Sequence, residues 1–299
     1  HNERVAIDWG GRHILRGRAP RPNDLMLQSN DYLAIAGHAD IVEAQRAALA
    51  EGGLGMMMSA LFQQDADQPL HRAEAELARA VGSQDGILAQ SGFAANVGLI
   101  QSLAGERVPV YIDMLAHASL WEGIRSAGAK AVPVLHNDVA HLERQVLRHG
   151  AGVIVVDAVY STNGSLAPLA DIAAVANAQD CVLVVDESHS LGTHGARGEG
   201  LVASLGLNDR VHFITASLAK AYCSRAGFIA CTTRFKDYFG CEALPAIFSS
   251  SLLPHELAGL SAAHRVIQTE TWRRQRLRSV TRRVRRELTA MGFPIGDGT

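Results

Sequence analysis

Lys220 is the residue whose surroundings first suggest chemistry. It lies in the run TASLAKAY, Thr215 to Tyr222, where small and hydroxyl-bearing residues follow the apolar run VHFI. A lysine in such a place is usually an ordinary surface residue. If the fold buries it, desolvation lowers the pKa of its amine, which can then attack an aldehyde. Lys220 is therefore a candidate nucleophile, with a surface lysine as the alternative.

A polar run that follows the apolar stretch CVLVV offers the lysine a partner. It contains Asp186, Glu187, Ser188 and His189. In open α/β sheets, the residues after buried strands line the crevice where ligands bind. Taken alone, such a run is more often a solvated loop or a helix cap. Together, an acid and a lysine that each follow a strand fit pyridoxal phosphate (PLP), which needs an amine for its aldehyde and a carboxylate for its ring nitrogen.

The elements that must position these residues are visible as short apolar runs. Six of them predict strands: DGILAQ, PVYID, GVIVVDAVY, CVLVVDE, VHFITA and GFIAC. Their nearly continuous apolar character is typical of strands that helices cover on both faces. Between them, QPLHRAEAELARAVG and FAANVGLIQSLAG have helical periodicity and are expected to end at Gly82 and Gly105. We therefore predict an α/β fold with a mostly parallel sheet.

Composition narrows the class of protein. The 299 residues carry a net charge of −2 and are 47% hydrophobic, which describes a globular chain with no overall preference for nucleic acid or anionic membranes. The four cysteines form no CxxC pair, so we expect reduced thiols in a cytoplasmic protein and no metal site. No run approaches the roughly 20 apolar residues that cross a bilayer. We expect no membrane partner.

An arginine-rich segment, TWRRQRLRSVTRRVRRELTAMGF, is the one feature that suggests nucleic-acid binding. Apolar residues recur within it at helical spacing, namely Leu277, Val280, Val284, Leu288 and Met291. The arginines are then expected on the solvent-exposed face of an amphipathic helix. No aromatic platform accompanies them, so we predict no nucleic-acid partner.

Five segments in order carry a family resemblance: SNDYL, LAQSGFAANVGLI, DMLAHASLWEG, VVDESHSLGTHG and TASLAKA. They resemble the α-oxoamine synthases, which are fold-type I (aspartate aminotransferase-like) PLP enzymes. The match covers about residues 25–255. Within that family, the sequences of these segments are most similar to those of bacterial quorum-sensing synthases that make α-hydroxyketone autoinducers. The absence of repeats and low-complexity linkers predicts one large α/β domain over 41–265, after an arm over 1–40. The resemblance implies that this domain binds PLP and that 266–299 begins a truncated C-terminal domain.

The resemblance also implies roles at the reacting centre. Lys220 would hold PLP covalently and later move the substrate's Cα proton. Asp186 would pair with the pyridine nitrogen and keep it protonated. His189 would hydrogen-bond the phenolic oxygen of the ring, and His117 would stack on the ring's other face.

A phosphate site is implied at the turn SGF. Ser91, Gly92 and Phe93 would hold the phosphate at a helix start, where unpaired N–H groups favour an anion. Thr215 and Ser217 would add hydroxyl donors. Ser91 can also serve simply as the helix N-cap, and both interpretations can hold together.

Further site residues follow from the match. Ser249 and Ser250 are implied to reach the phosphate of a dimer partner, which makes the protein an obligate homodimer. Ser161 is assigned to the cofactor site and Asn30 to the carboxylate of the amino donor. The role of Arg225 stays open.

The implied reaction joins an amino acid to an acyl-CoA, with loss of coenzyme A and carbon dioxide, and gives an α-aminoketone. For an autoinducer synthase, the resemblance implies a medium-chain acyl-CoA and either S-adenosylmethionine or 2-aminobutyrate. Two alternatives remain. One is another α-oxoamine synthase, an 8-amino-7-oxononanoate synthase or a glycine C-acetyltransferase. The other is a catalytically silent dimeric relative.

Overall fold

A computed structural model describes residues 29–55, 57–59, 62, 68–296 and 298–299. Residues 1–28, most of the predicted arm, lie outside the described residues. A seven-stranded sheet forms the centre of the protein. Its strands are β1 (Asp85–Ala89), β2 (Pro109–Asp113), β3 (Lys130–Val134), β4 (Val153–Asp157), β5 (Val182–Asp186), β6 (Phe213–Ser217) and β7 (Gly227–Cys231).

The strand order is β1-β7-β6-β5-β4-β2-β3. Strand β7 runs antiparallel to both of its neighbours, while the pairs from β6 to β3 are all parallel. The predicted α/β fold with a mostly parallel sheet is confirmed. Strand β3 was not predicted, because its exposed residues Lys130, Ala131 and Pro133 break the apolar pattern. Pro133 cannot donate to a ladder, and the edge position of β3 accommodates it.

Eleven α-helices and a 3-10 helix at Asn208–Arg210 are found in the described part of the chain. The α-helices are α1 (Ala39–Gly52), α2 (Pro69–Val81), α3 (Gly92–Leu103), α4 (Ala118–Ser126), α5 (Val139–His149), α6 (Leu169–Ala178), α7 (Leu201–Ser204), α8 (Thr233–Glu242), α9 (Leu244–Ile247), α10 (Pro254–Thr269) and α11 (Thr271–Ala290). Gly82 ends α2 in the left-handed conformation, as predicted. Helix α3 ends at Leu103, before the expected Gly105, because Ala104 is already extended.

Helices cover both faces of the sheet. Successive side chains of a strand point to opposite faces, so Val184 packs with Leu99 of α3 and Leu120 of α4. Val185, the next residue, belongs to the larger core on the other face, with Leu77 of α2. Burial of each such side chain contributes roughly 1.5–3 kcal/mol. This three-layer arrangement fixes the carboxyl ends of the strands.

Helix α11 departs in two ways from the expected amphipathic pattern. Arg274 is buried, at 2% exposure, and its guanidinium donates to the carbonyls of Ile267 and Ala196. Leu277 packs against the core, whereas Val280 and Val284 are exposed. The expectation that every arginine of this segment lies on the solvent-exposed face is therefore wrong for Arg274, whose N–H groups pair with free carbonyls. None of the helices that the structure describes is long and apolar enough to cross a membrane.

Candidate active site

Three neighbouring strands bring polar side chains to one edge of the sheet. Asp157 ends β4 and pairs in register with Asp186, which ends β5. Asp186 in turn pairs with Thr215 of β6. Because these strands are parallel, their carboxyl ends meet at the same edge, where α/β sheets place their ligand sites. The fold therefore brings together the acid and the lysine-bearing segment that the sequence analysis singled out.

Asp186 is held by a buried amide that the sequence analysis missed. The carboxylate is 3% exposed, and its Oδ2 accepts from Nδ2 of Asn96 on α3 at 2.7 Å. The same Nδ2 lies 2.8 Å from Oγ of Ser119. The backbone N–H of Ser188 donates to Oδ1 of Asp186 at 2.8 Å. A polar residue inside the apolar run GFAANVGLI was the signal, because a buried amide needs a partner.

Asp157 lies beside Asp186 and differs from it in its surroundings. It is 2% exposed, and its Oδ1 accepts the backbone N–H of His117 at 3.2 Å. Burial, followed by the charge of Asp186, raises the pKa of Asp157 well above its usual range. The surroundings of Asp157 therefore favour the protonated form of its carboxyl.

His189 follows Asp186 by three residues and lies against the segment before α1. Its Nδ1 and the hydroxyl of Tyr32 share a hydrogen bond of 2.7 Å, and the ring centroids are 6.0 Å apart. Burial and then the charge of Lys220 lower the pKa of His189, while the charge of Asp186 opposes the shift and that of His117 adds to it. The imidazole stays neutral at neutral pH.

Lys220 lies in the turn that follows β6, and its side chain is half-buried. Its carbonyl accepts the N–H of Cys223 at 3.0 Å, which fixes the turn. Within the part of the chain that the structure describes, Nζ of Lys220 has no hydrogen-bond partner. The amine is thus available to a bound aldehyde.

His117 begins helix α4 as its N-cap. Its Nδ1 accepts the N–H of Ser119 at 3.2 Å and lies 2.7 Å from Oγ of the same serine. These contacts orient the ring while leaving its faces exposed. An exposed ring whose orientation is fixed can stack on a planar ligand.

The turn before α3 packs directly on the end of β6. A Cβ added to Gly92 would lie 2.5 Å from Cβ of Ser217, and one added to Gly227 would lie 2.1 Å from the carbonyl oxygen of Ser91. Ser91 caps α3 by accepting the N–H of Ala94 at 3.1 Å, so both interpretations of SGF remain compatible. Two glycines are required here because backbone approaches backbone.

This helix start offers donors to an anion. Among the described residues, the N–H groups of Gly92 and Phe93 find no acceptor. Thr215 is buried, and its Oγ1 likewise lacks a partner in the described part of the structure. The N–H of Ser217 donates to Oγ of Ser188 at 2.7 Å. Orphan donors at a helix N-terminus suit a phosphate.

The remaining predicted site residues lie further out. Asn30 is exposed, and its carbonyl accepts the N–H of Tyr32 at 2.9 Å. Ser161 is exposed on the turn after β4 and lines the same cavity as Tyr32 and His189. The backbone of Ser250 bridges to Ser59, and Ser249 is its half-buried neighbour. Their assignment to a partner's phosphate stays a prediction.

Arg225, whose role the sequence analysis left open, forms an ion pair with Glu256 at the start of α10. Its Nε and Nη2 lie 3.1 and 2.9 Å from Oε1 of that glutamate. The guanidinium is exposed, and an exposed pair of this kind contributes little to stability. Arg225 thus links the lysine turn to α10.

These groups fit PLP. The site holds a carboxylate positioned by Asn96, an unpaired amine at Lys220, and unpaired donors at the start of α3. A ring nitrogen, an aldehyde and a phosphate need these three partners. No group of three metal-ligating side chains occurs among the described residues.

Comparison with known proteins gives the same class. The model for the family "Aminotransferase class I and II" matches residues 22–298. The chain is 46% identical over 284 residues to a CAI-1 autoinducer synthase of Vibrio campbellii, which covers 95% of this chain and 72% of that protein. It is 35% identical over 274 residues to a putative 8-amino-7-oxononanoate synthase of Halalkalibacterium halodurans, covering 91% and 69%.

Solved structures agree in fold. A serine palmitoyltransferase of S. paucimobilis with a bound PLP-myriocin aldimine superimposes with a TM-score of 0.85 at 28% identity, over 90% of this chain and 69% of that one. The fold is therefore the fold-type I fold of PLP-dependent transferases. The chain belongs to the aminotransferase class I and II family and, within it, to the α-oxoamine synthases, which are acyltransferases.

Proposed function

We propose that the protein condenses a medium-chain acyl-CoA with S-adenosylmethionine or 2-aminobutyrate to give an α-aminoketone that serves as a quorum-sensing autoinducer. The convergence of Asp186, His189 and Lys220 at one edge of the sheet carries the proposal for the reaction class. The similarity to the CAI-1 autoinducer synthase, over nearly the whole chain, supports the choice of product.

PLP, when bound, withdraws electrons from the substrate carbon that loses a proton. The residues of this chain supply everything around that step. Lys220 would hold the cofactor's aldehyde carbon, and its Nζ would accept the proton from the substrate's Cα. Asp186, fixed by Asn96, would keep the ring nitrogen protonated. His117 would cover the ring, and His189, kept neutral, would donate to its phenolic oxygen.

The phosphate and the oligomeric state belong to the same proposal. Gly92 and Phe93 would bind the phosphate through their N–H groups, with Ser217 beside them. Ser249 and Ser250 of one protomer would reach the phosphate of its partner in a homodimer. All four cysteines are free thiols, which suits the reducing cytoplasm where acyl-CoA is found.

A second function is favoured by one comparison. The 35% identity to a putative 8-amino-7-oxononanoate synthase indicates that the same site could serve a small amino acid instead. The geometry of Asp186, His189 and Lys220 is the same for both reactions, so the choice depends on the two substrates.

The test is a matrix of acyl-CoAs of several chain lengths against S-adenosylmethionine, 2-aminobutyrate, alanine and glycine. Coenzyme A release is followed with a thiol reagent, and products are identified by mass spectrometry. Turnover only with a small amino acid such as glycine contradicts the autoinducer proposal. Lys220→Ala is the matched control: it should lose both the visible absorption band of the bound cofactor and all coenzyme A release.

A further inference from the structure

Asp31 and Tyr32 are adjacent residues that contact two different turns of the candidate site. The hydroxyl of Tyr32 shares its hydrogen bond of 2.7 Å with Nδ1 of His189, in the turn after β5. The carboxylate of Asp31 accepts a hydrogen bond from the thiol of Cys223, in the turn after β6 that carries Lys220. Two consecutive residues therefore connect the turns that hold two of the proposed cofactor residues.

Cys223 is fixed to the backbone of Lys220. Its N–H donates to the carbonyl oxygen of Lys220 at 3.0 Å, and its Sγ lies 3.6 Å from the same oxygen. The φ angle of Cys223 is 49°, in the left-handed region that only glycine enters without steric cost. A side chain that is kept in such a conformation indicates a contact that glycine could not make.

The thiol and the carboxylate have the protonation states that this contact needs. Burial, followed by the hydrogen bond to Asp31 and the charge of Asp31, raises the pKa of Cys223 to about 12, so the thiol keeps its proton. Burial opposes the shift at Asp31, but the thiol and the N–H groups of Ile35 and Ala36 lower the pKa of this carboxyl. These N–H groups lie 2.9 and 3.0 Å from its two oxygens. Asp31 is thus an ionised acceptor for a protonated thiol.

The segment that carries Asp31 and Tyr32 is anchored outside the candidate site. Arg273 of α11 donates to the carbonyls of Leu33 and Ala34 at 3.0 and 2.9 Å. Its Nε lies 2.6 Å from Oε2 of Glu270, which holds the guanidinium in place. The side chains of Leu33 and Ile35 are buried in the larger core. The segment is therefore a fixed support against which the two turns can be set.

We propose that Asp31, acting through Cys223, is a positioning residue that sets Lys220 in register with His189, to which the neighbouring Tyr32 is bonded. This inference rests on the proposed function, since it takes Lys220 as the partner of the PLP aldehyde and His189 as the partner of the phenolic oxygen. The aldehyde and the phenolic oxygen are attached to neighbouring carbons of the pyridine ring. Their two protein partners must therefore be fixed relative to each other, although they follow different strands.

Cys223→Gly removes the thiol while permitting the left-handed backbone. When PLP is added to cofactor-free protein, Nζ of Lys220 and the aldehyde form a C=N bond and release one water, which visible absorbance follows. We expect the rate of this step to fall about tenfold, because a reacting group displaced by less than about 1 Å loses rate on this scale. The denaturant midpoint should stay close to that of the unmodified protein, since relief of backbone strain offsets the lost contacts.

Two further variants frame this result. Cys223→Ser keeps a hydrogen-bond donor at nearly the same place and should recover most of the rate. Asp180→Gly is the matched control, because Asp180 is an exposed residue with a φ angle of 53° that lies before β5, at the end of the strand opposite to Asp186. It relieves the same kind of backbone strain and should leave the rate unchanged.

A double variant tests whether Asp31 and Cys223 act through one contact. Asp31→Asn, which removes the ionised acceptor, should slow the reaction on its own. Added to Cys223→Gly, it should slow the reaction no further, because both changes break the same contact. Effects that multiply in the double variant would contradict the positioning role, as would equal rates for Cys223→Gly and Asp180→Gly.

Lys220→Ala separates failure of this inference from failure of the proposed function, because it removes the amine itself. If Lys220→Ala still gives the absorbing product, the proposed role of Lys220 is wrong. If Lys220→Ala abolishes the product while Cys223→Gly reacts at the rate of Asp180→Gly, the positioning role alone is wrong.

Discussion

The amide of Asn96 and the carboxylate of Asp186 are joined by a hydrogen bond of 2.7 Å between two residues that are 2% and 3% exposed. The bond connects helix α3, whose first turn is the proposed phosphate site, to strand β5, which ends at Asp186, the proposed partner of the ring nitrogen. One buried contact thus links the two ends of the proposed cofactor site. Its amide also bonds Ser119 of α4, next to His117.

Asn96→Ala should lower cofactor affinity about tenfold, because it removes a charge-assisted hydrogen bond and leaves Oδ2 of Asp186 unpaired. Titration of the cofactor-free protein with PLP, followed by absorbance, measures the change. Ser102→Ala on the same helix is the control, since its Oγ bonds only the carbonyl of Gly98. Equal affinities in the two variants would show that Asn96 does not position Asp186.

Gly92→Ala should damage the phosphate turn without unfolding the protein. The new Cβ would meet Cβ and Cα of Ser217 at 2.5 and 2.7 Å, so backbone must move. We expect PLP affinity to fall at least about tenfold. Gly105→Ala, at the other end of the same region, meets nothing within 4 Å and should bind PLP normally. Unchanged affinity of Gly92→Ala would contradict the packing described for this turn.

Tyr32→Phe should shift the acid limb of the profile of kcat/KM against pH to higher pH. Burial raises the pKa of Tyr32, so its hydroxyl stays protonated and can donate to Nδ1 of the His189 tautomer that carries its proton on Nε2. Loss of this donor removes support for the neutral imidazole, and the lowered pKa of His189 rises towards its ordinary value. Profiles of kcat/KM between about pH 5 and pH 9 measure the limb.

An exposed tyrosine provides the comparison for this shift. Tyr238→Phe on α8 removes a hydroxyl that is remote from His189, and its profile should match that of the unmodified protein. Coincident profiles for Tyr32→Phe and Tyr238→Phe would exclude a role for the Tyr32 hydroxyl in setting the charge state of His189.

Glu187→Gln should flatten the pH dependence of stability. Burial raises the pKa of Glu187 to about 7, although the N–H groups of Val202 and Leu201 oppose the shift. A carboxyl whose pKa is higher in the folded than in the unfolded state makes folding most favourable below the unfolded value. That stability is lost as the pH rises towards 7, and the shift corresponds to roughly 3 kcal/mol. Glutamine cannot ionise, so the loss should disappear.

The denaturant midpoints of the unmodified protein and of Glu187→Gln are measured near pH 5 and near pH 8. The change in midpoint between the two pH values is then compared between the two proteins. Other buried carboxyls, such as Asp157, titrate in both proteins and cancel. A midpoint that falls equally with pH in Glu187→Gln and in the unmodified protein would show that Glu187 does not titrate in this range. Gly200 must stay unchanged, because a Cβ there would lie 1.8 Å from Oε2 of Glu187.

The strands and the positions of Asp186 and Lys220 were predictable because their signals are local. Each of the six apolar runs contains a strand; Asp186 ends β5, and Lys220 follows β6. Parallel pairing then brings them to one edge regardless of the details of packing. Gly82 could be assigned as a helix end because its left-handed conformation favours glycine.

Features that depend on distant partners were not predictable. Strand β3 exists because β2 offers it an edge, and its own sequence argues against it. Arg274 is buried because the carbonyls of Ile267 and Ala196 lie within its reach, which no periodicity reveals. Asn96 could be suspected as a buried polar residue, but its partner could not be named from the sequence.

The antiparallel pairing of β1 with β7 has a consequence for biosynthesis. Strand β1 lies at the edge of the sheet with β7 as its neighbour, and about half of the chain separates Asp85 from its partner Cys231. A growing chain therefore cannot seat β1, nor press the Ser91 turn against Gly227, until Cys231 has left the ribosome. The nascent protein therefore completes the Ser91 turn late, after the strands that carry Asp157 and Asp186 have been made.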